Sequence, residues 1–402
     1  MENLIPRPEY LEKLKSFRDK DLIKIVTGIR RCGKSTLFEL FINELIKSGV
    51  SEDHILHLKF TEAANDDIND AKKLYDKVVE TLNPKDGEKY YVFLDEVQEV
   101  KEWEKACDYL YEDKRIDLYL TGSNSHMLSS DLATLISGRY IEIKMTPLSF
   151  REYCSAKPDA TPLENYRTYV TNGSFPYSLQ FDNAQDVKTY LEGIYSTVVI
   201  KDVANRNNIS DFSGLENVVR FVFDNIGNPL SATKISNTLK SNGHPISVPT
   251  IENYLKALCS AFVFYRTERY DIKGKEYLTG GCKYYAADLG LRNTLLGSKP
   301  VDFGHVLENV VYMELIRRGF EVYIGKTRNA EVDFIAKDQD GNTTYYQVAY
   351  MLENEETLKR ELAPLQEIND HNQKYLLTLD FGPEASYDGI KRINALDWLL
   401  RG

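Results

Sequence analysis

The chain has 402 residues, 42% hydrophobic and 28% charged, with a formal net charge of −11. This length exceeds one ordinary core, so two or three domains are expected, and the composition is that of a globular chain rather than a fibrous or low-complexity one. The surplus of acid argues against a surface coated for phosphate binding, although it leaves room for a local basic patch.

Nowhere does the chain approach the roughly 20 consecutive apolar residues needed to cross a bilayer. The start, Met1-Glu2-Asn3-Leu4, has no basic region followed by an apolar core, so the reading is a cytoplasmic protein with no membrane partner. Five cysteines, Cys32, Cys107, Cys154, Cys259 and Cys282, lie scattered without C-x-x-C pairs. Reduced thiols are expected, with neither a zinc site nor a disulfide framework.

The first element in chain order is the apolar run Leu22-Ile23-Lys24-Ile25-Val26, read as a strand. It feeds Gly28-Ile29-Arg30-Arg31-Cys32-Gly33-Lys34-Ser35-Thr36, which fits G-x-x-x-x-G-K-[ST]. Two glycines let the backbone curl so that successive N–H groups converge on an anion, and the helix that follows adds the positive end of its dipole. Gly28, Arg31, Cys32, Gly33, Lys34, Ser35 and Thr36 are therefore the expected ATP-binding set. Lys34 would reach the β- and γ-phosphates, and the Ser35 hydroxyl would hold Mg²⁺. Leu37, Leu40, Phe41 and Leu45 recur at helical spacing from Lys34 to Lys47, so the context is strand, loop, helix. The competing reading is a glycine-bearing turn before a core helix.

A second strand is predicted at 54–60 and a helix at 70–82. Tyr90-Tyr91-Val92-Phe93-Leu94-Asp95-Glu96 then reads as an apolar strand ending in two carboxylates. Asp95 is the expected metal ligand and Glu96 the base that orients and deprotonates the attacking water. Neighbouring residues at a strand end point in different directions, which lets one serve the metal and the other the nucleophile. With strand 54–60 falling between the phosphate-loop strand and the carboxylate strand in sequence, the chain resembles AAA-type ATPases.

Strand 116–122 ends in Ser123-Asn124. In the light of that resemblance, Ser123 or Asn124 takes the sensor position that touches the γ-phosphate or the attacking water. Arg139 follows a predicted helix from Asp131 and precedes a strand at 140–145. At such a junction the resemblance implies an arginine reaching the nucleotide of a neighbouring subunit, hence a homo-oligomer; the alternative is a cation balancing a helix dipole.

Three pieces make the resemblance closer: Gly28 to Lys34, Gly138-Arg139-Tyr140-Ile141-Glu142-Ile143, and Pro147-Leu148-Ser149-Phe150-Arg151-Glu152-Tyr153. Together with Gly173-Ser174-Phe175-Pro176 they are similar to prokaryotic AAA family 14 (AAA_14) ATPases that carry a C-terminal DUF4143 domain.

In the middle segment, helices are predicted at 214–225, 231–241 and 248–258, followed by strands near 262–267 and 284–287, a winged-helix layout. Residues 211–300 hold 11 Lys/Arg against 8 Asp/Glu, mildly basic in an acidic chain. Asn253 and Lys256 are the polar residues offered by the third helix. A winged helix used only for protein contacts is the competing reading.

Toward the C-terminus, Glu308 lies in a helical run, Asp333 in a strand and Gln347 in the next strand, an order that resembles the PD-(D/E)xK nuclease fold. Gln347 stands where a carboxylate is usual and Ala349 where the water-activating lysine is usual. The expectation is a degenerate nuclease-like site at Glu308, Asp333 and Gln347.

The fold class expected is α/β. A P-loop AAA-type ATPase domain with a parallel sheet covers 1–157, a helical linker and winged-helix domain 158–300, and a nuclease-like α/β domain 301–402. The function expected is Mg²⁺-dependent ATP binding and hydrolysis coupled to conformational change, acting on or with DNA. The alternatives are an ATP-controlled protein-interaction switch with no DNA role, and an ATP-linked metal-dependent nuclease, which the missing lysine disfavours.

Overall fold

A computed structural model describes residues 4–128, 138–274, 276–297 and 302–401. Its contacts divide the chain into two compact units, Met1–Pro147 with Ser260–Phe262, and Leu148–Cys259 with Val263–Gly402.

In unit 1, α1 (Pro8–Phe17) precedes β1 (Ile23–Thr27), α2 (Lys34–Lys47), β2 (Ile55–Lys59), α3 (Ala71–Leu82), β3 (Tyr90–Asp95), α4 (Trp103–Glu112), β4 (Ile116–Gly122) and β5 (Tyr140–Lys144). The five strands form one parallel sheet in the order β2-β3-β4-β1-β5. Every residue of β1, β3 and β4 is buried, as both-face coverage of a parallel sheet requires. Two charges sit inside these apolar runs, Lys24 on β1 and Asp117 on β4, and they pair with each other. Tyr119 donates a second hydrogen bond to Asp117 at 2.8 Å. Spatially, the strand between β1 and β3 is β4, while β2, which lies between them in sequence, is at the edge. The helix expected from Asp131 lies largely outside the described residues.

The parallel order carries the C-terminal ends of β1, β3 and β4 to one edge of the sheet. Adjacent strands lie about 4.8 Å apart, so the ends of β1 and β3 are separated by roughly 10 Å, with the end of β4 between them. The phosphate-loop sequence, the two carboxylates and the polar end of β4 thus share an edge.

Unit 2 opens with α5 (Phe150–Ala156), whose Ser149 and Glu152 form a reciprocal capping box. Next come α6 (Pro162–Asn172), α7 (Ala184–Ile194), a π-helical stretch leading into α8 (Val203–Arg206), α9 (Phe212–Asp224), α10 (Ala232–Ser241) and α11 (Val248–Ser260). The hairpin β6 (Phe264–Asp271) and β7 (Glu276–Ala286) follows, then α12 (Leu289–Leu296), α13 (Phe303–Arg317), β8 (Glu321–Lys326), β9 (Glu331–Lys337), β10 (Thr343–Ala349), α14 (Glu355–Gln366), β11 (Gln373–Thr378), β12 (Ala385–Tyr387), β13 (Ile390–Asn394) and α15 (Ala395–Leu400).

Three helices and a hairpin occur in the order expected of a winged helix, but the hairpin is not a free wing. Its β6 strand pairs in parallel with β8 through Arg269–Ile324, Tyr270–Gly325 and Asp271–Lys326. The result is one eight-stranded sheet, β12-β13-β11-β10-β9-β8-β6-β7, that runs across residue 300. Gly173-Ser174, singled out in the sequence, meets the N-terminus of α12. The Ser174 hydroxyl donates to Asp288 Oδ2 at 2.9 Å, and a Cβ on Gly173 (φ +79°) would come within 2.5 Å of the same carboxylate.

Candidate active site

The phosphate loop is built on close backbone approach. A Cβ on Gly28 would lie 2.1 Å from the Met145 carbonyl oxygen, so only glycine lets the loop leave β1 against the residue that follows β5. Arg31 takes a left-handed conformation (φ +72°), and Gly33 (φ +103°) turns the chain into α2. The Arg31 side chain is exposed. Cys32 is fully buried with its Sγ 3.6 Å from the Met145 carbonyl, so any part it has in nucleotide binding falls to its backbone.

Lys34 is only 4% exposed. Its Nζ donates to the Gly28 carbonyl at 3.1 Å and lies 3.2 Å from Glu96 Oε1. Burial pulls the Lys34 ammonium down, but the charge and hydrogen bond of Glu96, with Cys32 and Asp95 nearby, together outweigh it and the group is raised above its ordinary value. Burial likewise would push the Glu96 carboxyl up, yet Lys34 beside it and hydrogen bonds from Ser123 and Gln98 hold it at about 2. Glu96 therefore stays ionised, as a base must. It occupies a left-handed backbone conformation (φ +55°), a strained state that persists where the surroundings enforce it.

The hydroxyl of Thr121 on β4 links the two acids. It donates to Asp95 Oδ1 and accepts the Glu96 N–H at 2.8 Å. Asp95 is buried, and it and the Ser35 hydroxyl are hard oxygen donors of the kind that suits Mg²⁺. Ser123 and Asn124 are both buried at the end of β4. Of the two residues offered for the sensor position, Ser123 makes the contact to Glu96.

Arg139 does not join this constellation in its own chain. Its carbonyl accepts the Ile23 N–H at 2.8 Å, at the start of β1, and the five residues of β1 put the phosphate loop roughly 16 Å away. Its guanidinium pairs with Asp108 at 3.2 Å and Glu112 at 3.1 Å on α4, over the ring of Tyr111.

Three contributors escaped the sequence reading. Thr121 and Gln98 lie beside recognised motifs but belong to no pattern. Arg7 precedes α1, far from the loop in sequence, yet its buried guanidinium donates to the Cys32 carbonyl at 3.1 Å and the Thr146 carbonyl at 2.8 Å. It straps the phosphate loop to the segment after β5.

In unit 2, Asp333 on β9 lies beside Gln347 on β10 and close to Glu308 on α13, and the cluster has an unforeseen member. Lys283 of β7 lies 3.0 Å from Glu308 Oε1 and 3.0 Å from Glu331 Oε1. Burial and the nearby Glu308 push Asp333 up to about 8.

Residues 20–154 match the family model described as an AAA domain (AAA_14), and residues 163–302 match a domain of unknown function, DUF8612. The latter replaces the DUF4143 expected from the sequence. An uncharacterized protein of Haemophilus influenzae is 39% identical over 402 residues, 99% of each chain. Another, of Methanocaldococcus jannaschii, is 29% identical over 364 residues, 85% of this chain and 77% of that one. Among solved structures, a Walker-type ATPase of Pyrococcus abyssi aligns with a TM-score of 0.48 at 17% identity, covering 73% of this chain and 97% of that chain. No helix among the described residues is long and apolar enough to cross a membrane.

Proposed function

The chain belongs to the family of the Haemophilus influenzae protein and carries an AAA domain, and from that premise we propose that it binds and hydrolyses ATP and couples the cycle to work on DNA. The observation that carries the hydrolytic part is the 3.2 Å contact between Lys34 and Glu96 at the edge where β1, β3 and β4 end. Without nucleotide the two charges satisfy each other. A triphosphate entering the loop offers Lys34 a stronger partner, and Glu96 is released to take a proton from water. Ser35 and Asp95 would hold Mg²⁺, which when bound neutralises charge on the β- and γ-phosphates. Thr121 keeps the two carboxylates in fixed relation, and Ser123 or Asn124 senses the γ-phosphate.

The DNA part rests on unit 2. Lys234 and Lys240 of α10 and Asn253 and Lys256 of α11 are exposed, alongside the exposed acid Glu252. Such lysines suit phosphate contacts that carry no sequence information. Because β6 is engaged by β8, the winged-helix reading reduces here to its helices, with no free wing on the phosphates.

Steady-state ATPase rates with single-stranded, duplex and branched DNA at low salt test both parts. Lys34→Ala and Glu96→Gln should abolish turnover. DNA should raise the wild-type rate several-fold, the rise should fade with added salt, and Lys234→Ala/Lys240→Ala/Lys256→Ala should keep the basal rate but lose the rise. A mutant-sensitive rate indifferent to every DNA would replace this reading by an ATP-controlled switch for a protein partner.

A further inference from the structure

The gathered acids of unit 2 raise the question of what neutralises them. Glu308 is 5% exposed and Gln347 7%, so neither charge nor dipole is relieved by water. In nuclease-like sites a divalent cation does that work, held by two or three acids.

Here both oxygens of Glu308, one oxygen of Asp333 and the Gln347 carbonyl are already engaged by the protein. Glu308 Oε1 accepts from Lys283 Nζ at 3.0 Å and from the Tyr285 hydroxyl at 2.6 Å, while Oε2 faces His305 Nδ1 at 3.0 Å. Asp333 Oδ2 accepts the Val348 N–H at 2.8 Å. The Gln347 carbonyl accepts the Asp333 N–H at 3.3 Å, and its amide donates to Glu361 at 3.2 Å. Among the described residues no cluster of His, Cys, Asp and Glu has the geometry to hold a metal. The donor set does not fit a resident divalent ion.

What lies against Glu308 is an ammonium. Lys283 is 3% exposed and bridges Glu308 to Glu331, two acids from different elements. It comes from β7, across β6 and β8 from the β9 strand that carries Asp333, so no local spacing relates it to the acids. A buried ammonium is stable only with opposite charge around it, and two carboxylates at 3.0 Å supply that.

We propose that Lys283 is the built-in cation of this site, taking the place of a divalent metal, so that unit 2 neither binds the metal nor cleaves nucleic acid. Unlike a metal, the ammonium cannot dissociate, and the acids are permanently engaged.

The test uses the nucleotide-free full chain with Mn²⁺ as the probe, read by thermal unfolding and by direct Mn²⁺ binding. Wild type should show no Mn²⁺ response that Asp333→Asn removes. Lys283→Ala leaves buried carboxylates without their cation, so it should melt lower than wild type, and millimolar Mn²⁺ should restore it with binding at least about tenfold tighter than to wild type. Lys283→Ala/Glu308→Gln removes both charges of the pair, so it should fold without the ion and lose the Mn²⁺ response. It keeps the proposal testable if the single variant fails to fold. The proposal falls if wild type binds Mn²⁺ in an Asp333-dependent way, if wild type cuts DNA with Mn²⁺ and stops on Lys283→Ala, or if the double variant responds to Mn²⁺ as strongly as the single one.

Discussion

Lys34 Nζ lies 3.2 Å from Glu96 Oε1, in a pocket where the Glu96 side chain is 12% exposed. The carboxyl is held at about 2 against an ordinary 4.5. A depressed carboxyl contributes stability that is fully present above the ordinary value and is lost as pH falls through the folded value. The gap corresponds to about 3 kcal/mol. In urea denaturation of the nucleotide-free chain, Glu96→Gln should therefore be less stable than wild type near neutrality, and the difference should shrink as the pH is lowered from 5 to about 3. A difference independent of pH would mean that the carboxylate charge is not its source.

Thr121 makes a different kind of prediction, because its single hydroxyl serves both acids. Thr121→Val keeps the shape but leaves the Glu96 N–H without its acceptor, at a cost of about 1–3 kcal/mol. Turnover should fall at least about tenfold while the KM for ATP changes little, since the effect is on orientation and not on binding. Thr121→Ser should restore most of the rate. An equal loss in both variants would place the effect in packing.

Arg7 holds the loop with two nitrogens of one planar group. Arg7→Ala and Arg7→Lys should both weaken ATP binding by several-fold, because a lysine cannot present the forked donors. Binding of a fluorescent ATP analogue measures this directly. Rescue by lysine would show that charge alone matters.

For Arg139, the length of β1 separates it from its own phosphate loop, so a catalytic role would require a neighbouring subunit. Its ion pairs on α4 are exposed enough that losing them should move stability by less than about 1 kcal/mol. Arg139→Ala should retain ATP binding and lose at least about tenfold in turnover, and mixing it with inactive Lys34→Ala should recover part of the rate. A mixture no more active than its parts would remove the arginine from the mechanism.

What could be read from the chain beforehand follows from how local each feature is. The Gly28–Thr36 loop, helix 34–47 and the strand ending at Asp95-Glu96 each depend on residues adjacent in sequence, and each expected element appears. Thr121 was invisible because threonine at a strand end is ordinary until β3 is set beside β4. Lys283 was hidden by distance, 25 residues from Glu308 and with two strands between β7 and β9. The hairpin misled for a related reason. Its sequence specifies two strands and a turn, whereas the pairing of β6 with β8 depends on residues beyond 320.

That pairing decides how the polypeptide can be cut. A fragment ending near residue 300 would strip β6 of its neighbour and present Arg269–Asp271 as a bare backbone edge, while the remaining piece would begin its sheet at an uncovered β8. Expression trials that divide the chain there should yield sticky, poorly soluble halves, and any exchange of parts among relatives would have to carry everything from the hairpin to the C-terminal helix as a single inheritance.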